Sequence, residues 1–262
     1  MMATPRAIPV SLDARWASSA GGAMFGGHLA RVLADAAVQA TGQDLVPVST
    51  SVAFLRPALP GTATVTATVL KTGRRYSTVS CTLETDVGAV ATALVTLAPA
   101  QSIAFAISDE PTALPAEPMG RPGAGEVAGQ VDWRTMTPWT RGAYPGPFES
   151  WFRLREAHAE PVDLGRYLVA SDLIGPAIAA TGRALPFRIA TVSLDVSAIA
   201  ASNSDWLRQV IEVHVLGAEA VARLELRDPN GTVLAIASHR VVILDASDDE
   251  LPAAVTAFGW GS

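Results

Sequence analysis

The order of elements repeats along this chain, and the repeat restricts the fold more than any single motif does. On each side of a Pro/Gly-rich stretch, a helical segment runs into four segments of strand composition. In the first copy Leu29, Val32, Leu33, Ala36, Ala37 and Ala40 recur at the i, i+3, i+4, i+7 spacing of an amphipathic helix. His28, Arg31, Asp35 and Gln39 form its other stripe, and Gly42 stands where a helix C′ residue is expected. Strand segments follow at 48–55, 62–70, 77–83 and 88–97. In the third, Ser77, Val79, Cys81 and Leu83 alternate onto one face, and the turns at 71–75 and 86–88 are short enough for hairpins.

The second copy reads as a strand at 149–155, a helix at 165–181 kinked by Pro176, and strands at 190–199, 206–216, 219–227 and 232–244. Between the copies, Pro111, Pro115, Pro118, Pro122 and Pro138 are interleaved with Gly120, Gly123, Gly125 and Gly129, a composition poor for helix or sheet. This predicts an α+β chain with one unit at 1–99, a linker at 100–147 crossing the surface and a second unit at 148–262. A helix followed by a four-strand antiparallel meander buries itself best when the sheet curls around it. Pairing two such sheets side by side removes one exposed edge from each.

Composition narrows the function classes. The net charge of −6 over 262 residues comes with no Lys/Arg cluster to neutralise a row of phosphates, so nucleic acid is not an expected partner. Cys81 is the single cysteine, which excludes an intrachain disulfide or a thiolate zinc site and fits a reducing, cytoplasmic setting. Residues 1–17 lack the apolar core of a signal peptide, and no run reaches the roughly 18–20 apolar residues of a membrane span. A 49% apolar and only 17% charged chain suggests sheet faces buried against something else, which favours homo-oligomers.

Phosphate-binding, HExxH, GxSxG and CxxC motifs are all missing. Phe25-Gly26-Gly27-His28 places glycines before a helix, where bare N–H groups hold a carbonyl oxygen or where small residues simply allow a tight turn. Asp172 is one of two polar side chains between Leu168 and Ala180, and at helical spacing it shares a face with Leu168, Gly175, Pro176 and Ala179. A carboxylate buried there needs partners or a task. On the next strand, alternation puts Thr191, Ser193, Asp195 and Ser197 on one face, which is either a site or the solvated side of the sheet. His28, His158, His214 and His239 have no metal-ligand spacing, and no metal or cofactor is expected. His239 and Arg240 interrupt the last apolar strand and point to opposite faces, so at most one looks toward the helix. Cys81 alternates with apolar residues as an inert core thiol does.

These segments resemble the double-hotdog acyl-CoA thioesterases of type II, the thioesterase-like superfamily. The similarity lies in Phe25-Gly26-Gly27-His28, Val52-Ala53-Phe54-Leu55-Arg56-Pro57 and the stretch 73–80 in the first half. In the second half it lies in Ser171-Asp172, Ser193-Leu194-Asp195-Val196-Ser197 and the stretch 228–237. The resemblance implies two tandem helix-wrapped antiparallel sheets forming a pseudo-dimer, and hydrolysis of an acyl-CoA thioester by a water held between an Asp, a Thr or Ser and a Gln. Carried onto this sequence, the Asp is Asp172 and the hydroxyl is Ser193, or Thr191 if the register shifts by two. The Gln position falls on His239, or on Arg240 after a slip of one, and either departs from the family pattern. Gly26, Gly27 and His28 become the substrate-binding residues, with a helix N-terminal amide stabilising the oxyanion. The second half lacks the family's aromatic-His-Arg-Pro run after the strand, having residues 198–202 there instead.

Overall fold

The computed structural model describes residues 4–17, 22–106, 127–136, 146–155, 164–182 and 187–245. The first half opens with strand β1 (Arg6–Leu12), then helix α1 (Gly26–Thr41) and strands β2 (Leu45–Phe54), β3 (Gly61–Thr72), β4 (Ser77–Thr85) and β5 (Gly88–Pro99). A connecting region holds β6 (Ala104–Ala106), the single-turn helix α2 (Val127–Gln130) and β7 (Val131–Thr135). The second half has β8 (Phe148–Leu154), helices α3 (Gly165–Ser171) and α4 (Gly175–Ala180), and strands β9 (Phe187–Ala198), β10 (Ala200–Ser202), β11 (Leu207–Leu216), β12 (Glu219–Arg227) and β13 (Val233–Asp245).

Eleven of these strands form one antiparallel sheet in the order β1-β3-β4-β5-β2-β9-β13-β12-β11-β8-β7. Read outward from its middle, the first half runs β2-β5-β4-β3-β1 and the second β9-β13-β12-β11-β8, the same permutation twice. The halves meet where β2 pairs with β9, from Ser49 opposite Ser197 to Ala53 opposite Ser193. Two edges are satisfied there, as the sequence-level argument about unpaired strands requires.

The α1 helix follows the apolar stripe read from sequence: Leu29, Ala30, Leu33, Ala34, Ala36 and Ala37 are buried. Gly42 ends it at φ 61°, a left-handed conformation that glycine adopts without penalty. On the sheet, Ala63, Val65 and Ala67 of β3 and Ser77, Val79, Cys81 and Leu83 of β4 turn inward beneath the helix. In the second half Ala220, Ala222, Leu224 and Leu226 of β12 do the same.

Three expectations change. The segment read as a linker without helix or sheet contributes β6, which pairs in parallel with β10, and β7, which extends the second half's sheet beyond β8. Charge secures β7: Asp132 accepts hydrogen bonds from Arg153 and Arg155, and the guanidinium groups of Arg134 and Arg153 each lie over the Trp206 ring. Of the prolines and glycines that carried the linker expectation, Gly129 lies in α2, while Pro111 to Gly125 and Pro138 lie outside the described residues, as does His158. In place of one kinked helix at 165–181 there are two, separated at Asp172 to Ile174. Pro176 sits in the first turn of α4, where its missing N–H is harmless, and its ring would collide with the carbonyl of Asp172 four residues earlier if the helix were continuous. The third change is a bulge in β9, taken up below.

Candidate active site

Asp172 is the residue immediately after α3, a position that follows from the break Pro176 imposes. The last turn of α3 is held from below by Gln209 of β11, a fully buried amide that donates to the Ala170 carbonyl at 2.7 Å and accepts from Ser150 Oγ at 2.7 Å. The helix end is thus fixed two residues before the carboxylate. Gln209 was not singled out from sequence, although a signal was there: it occupies an inward position between Leu207 and Ile211.

Asp172 is 4% exposed, and its carboxylate is met by donors from both halves. Oδ2 accepts the backbone N–H of Gly27, in the first turn of α1, at 2.7 Å. That amide is one of the groups a helix N-terminus leaves without an intrahelical acceptor, at its positive end. The two helices approach closely because residues 26 and 27 lack side chains. A Cβ on Gly26 would stand 2.9 Å from Asp172 Oδ2, and one on Gly27 would stand 2.8 Å from the Leu168 oxygen and the Val169 Cα. The tight packing that glycine permits and the anion contact are therefore one feature.

On the sheet side, Oδ1 accepts from Thr191 Oγ1 at 3.0 Å and lies 3.0 Å from His239 Nε2, which is also 3.3 Å from Thr191 Oγ1. His239 is fully buried. Alternation alone left His239 and Arg240 open; the structure turns His239 inward and Arg240 outward, where it bonds Glu219 Oε2 at 2.7 Å. It also corrects the faces of β9. Thr191 is opposite Val241 and Ser193 opposite Arg240, so Val192 is the extra residue of a bulge. The bulge moves Thr191 onto the inner face with Leu194 and Val196, while Ser193 shares the outer face with Arg240 and Asp195. Ser193 is therefore not brought to Asp172, and the hydroxyl in the cluster belongs to Thr191.

His28 takes no part in the cluster's hydrogen bonds. Its ring stacks on Trp16 with centroids 4.7 Å apart and planes 4° apart, and neither ring nitrogen has a hydrogen-bond partner among the described residues. Burial, reinforced by the nearby Arg31, pushes its pKa down to about 4, so the ring is neutral at pH 7. Gly27 is also not free to hold an oxyanion, because its N–H is committed to Asp172. Burial pushes the Cys81 thiol up to about 12, which suits a core residue and not a nucleophile. Among the described residues no group of three or more His, Cys, Asp or Glu could hold a metal ion. No described helix is long and apolar enough to cross a membrane. An open cleft of about 480 Å³ lies between the end of α4 and β11, lined by Thr181, Gly182, Val213, His214, Val215 and Leu216. It shares no residue with the Asp172 cluster, and among the described residues the cluster alone combines a buried anion with an imidazole.

A carboxylate, a hydroxyl and an imidazole gathered where two helix-covered half-sheets meet belong to a hotdog-fold protein, and comparison with known proteins agrees. The structure resembles a conserved protein of unknown function with a hot dog fold from Alicyclobacillus acidocaldarius, with TM-score 0.74 and 18% identity over 92% of this chain and 94% of that one. A tesB protein from Mycobacterium avium subspecies paratuberculosis has TM-score 0.70 and 18% identity over 90% and 92%. The acyl-CoA thioesterase II TesB2 from Mycobacterium marinum has TM-score 0.66 and 17% identity over 86% and 91%. Residues 12–98 match the family model of the acyl-CoA thioesterase N-terminal domain. The likeness to type II acyl-CoA thioesterases that the motifs carried thus holds, by sequence in the first half and by fold across nine tenths of the chain. No curated protein matches the sequence.

Proposed function

We propose that the chain is a double hotdog, two tandem units forming a pseudo-dimer, and that it hydrolyses an acyl-CoA thioester to the free acid and CoA at the Asp172–Thr191–His239 cluster. The observation that carries this reading is the buried Asp172 carboxylate, which draws one donor from the first half and two side chains from the second. A buried anion is costly unless paired, and here it is paired by an amide that holds it and by two side chains suited to binding a water. Thr191 and His239 orient a water beside the thioester carbonyl. With the Gly27 N–H occupied, stabilising the oxyanion falls to the other first-turn amides of α1, those of Gly26 and His28. The repeated strand order supports the division into a unit at 1–99, a connection at 100–147 and a unit at 148–262, with β7 of the connection serving the second unit's sheet. β1 and β7 stand at the ends of the eleven-stranded sheet and suit assembly into homo-oligomers in a cytoplasmic setting.

The experiment is thiol release across an acyl-CoA chain-length series by wild type and Asp172→Asn. Hydrolysis of some chain by wild type and its loss in Asp172→Asn are expected. Binding of acyl-CoA without hydrolysis of any chain would reassign the protein to acyl-CoA binding. The His239–Asp172 pair also favours a second reading, hydration of an enoyl-CoA by a histidine with a carboxylate. Water addition to the double bond, lost in His239→Ala, would select it.

A further inference from the structure

We infer that His239, and not Asp172, takes the proton from the attacking water, with Asp172 serving as the fixed anion that holds the imidazole. This rests on the thioesterase reading and assigns the acid–base role within it. An ionised carboxylate offers about four acceptor positions. At Oδ1 of Asp172, Thr191 Oγ1 donates at 3.0 Å and His239 Nε2 stands at the same distance. On Oδ2, the Gly27 N–H occupies one at 2.7 Å. Gly26 lies against the same oxygen so closely that even a methyl group there would sit at 2.9 Å. A general base needs an open lone pair within reach of the proton it removes. Three polar groups already crowd the Asp172 carboxylate, and the residue is only 4% exposed, so little of it is open to a water.

His239 shows the complementary pattern. With Nε2 3.0 Å from the Asp172 carboxylate and 3.3 Å from Thr191 Oγ1, the neutral ring carries its proton on Nε2 and leaves the Nδ1 lone pair bare. Nδ1 has no hydrogen-bond partner among the described residues although the side chain is fully buried, and Oγ of Ser171, beside Asp172, is likewise unpartnered. Unpaired buried polar atoms are costly, and a water or a substrate carbonyl group would relieve that cost. The groups facing the ring are Asp172 from the end of α3, Thr191 and Leu194 from β9, and Ala222 from β12. Asp172 is the titratable one among them. Arg240, the next residue on β13, points to the other face and bonds Glu219. Among the described residues the ring therefore stands beside one carboxylate, with the nearby guanidinium turned away.

In the reaction, the water oxygen bonds to the thioester carbonyl carbon while one water proton passes to Nδ1, and the carbonyl oxygen takes the negative charge. Collapse restores the C=O bond and breaks the C–S bond, and Nδ1 returns its proton to the departing sulfur. One water is consumed, and one acid and one thiol leave. Asp172 stays ionised throughout and pairs with the imidazolium, as a buried Asp does beside a catalytic histidine.

The test is kcat and KM against pH for wild type and His239→Gln, on an acyl-CoA that wild type hydrolyses. Wild-type kcat should fall toward acid pH as Nδ1 is protonated. His239→Gln should lose about 100-fold or more in kcat, keep KM within about threefold and lack the acid limb. A His239→Gln protein with wild-type kcat and pH profile overturns the assignment and leaves the thioesterase reading standing. Wild type inactive on every chain overturns that reading and this assignment with it. ¹⁵N NMR of the histidines in wild type needs no variant: a protonated Nε2 and bare Nδ1 on His239 at neutral pH support the assignment, and an Nδ1–H tautomer overturns it.

Discussion

The two halves share one strand order but treat their helices differently. In the first half α1 runs unbroken for 16 residues and ends at Gly42; in the second the equivalent segment is broken into α3 and α4, of 7 and 6 residues. The unbroken helix contributes backbone to the site, through the Gly27 amide and the space left by Gly26 and Gly27. The broken one contributes a side chain, because the break frees Asp172 from the helix wall and sets it before the other helix's N-terminus. A duplicated scaffold can thus divide its work: one copy keeps a regular helix and supplies donors, and the other gives up helical hydrogen bonds to present an acid.

The largest effect expected from breaking this division is at Asp172. In Asp172→Asn the side-chain NH₂ must face either the Gly27 N–H or the Thr191 and His239 side chains, and in both orientations the buried negative charge beside His239 is gone, so kcat should fall by roughly 10³–10⁴ in a thiol-release assay. Next comes the acid sensitivity of the first half. His28 has its folded pKa pushed down to about 4, so between about pH 6.5 and 4 the unfolded chain binds a proton the native state refuses. Stability is therefore intact above that window and falls through it as pH drops, by roughly 3 kcal/mol in all. Denaturant unfolding at pH 7 and pH 4.5 should show the loss in wild type and a shallower one in His28→Phe, which keeps a ring against Trp16.

Pro176→Ala would sharpen the comparison by making the second helix more like the first. With the clash removed, α3 and α4 can join, and rotating Asp172 away by about 1 Å or more should lower kcat by about 10²-fold with KM little changed. Helical circular dichroism should rise in the same variant. The smallest effect is expected for Gly27→Ala, whose methyl meets backbone atoms at 2.8 Å. The cost should be about 1–3 kcal/mol of overpacking, partly offset by the better helix propensity of alanine, and is read from the denaturation midpoint.

Much of the fold was legible before any coordinates. The apolar spacing of α1 and the alternation of β4 are local properties, set by which side chains can face a core 3.6 or 2 residues apart. β1 was not read as a strand, and β7 was hidden inside a segment whose average composition is that of a linker; both are stabilised by pairing with distant partners, β1 with β3 and β7 with β8. In the site, Asp172 was visible as a carboxylate in an apolar stretch and His239 as an interruption of an apolar strand. Thr191 was reachable only as the alternative to Ser193, because a bulge leaves no signature in a Thr-Val-Ser-Leu-Asp run that alternates equally well without it.

By itself, then, the sequence determined the two helix-and-meander units, the separation between them and a short set of polar residues in apolar settings. Tertiary structure decided which hydroxyl and which of the adjacent residues His239 and Arg240 meet the carboxylate, and that the amide facing it comes from the other half. The physical reason is range. Periodicity reports how a segment divides its side chains between two faces, whereas the partner of a buried charge is chosen by strands and helices far apart in the chain, and one residue of slippage in a β-strand exchanges every side chain between those faces.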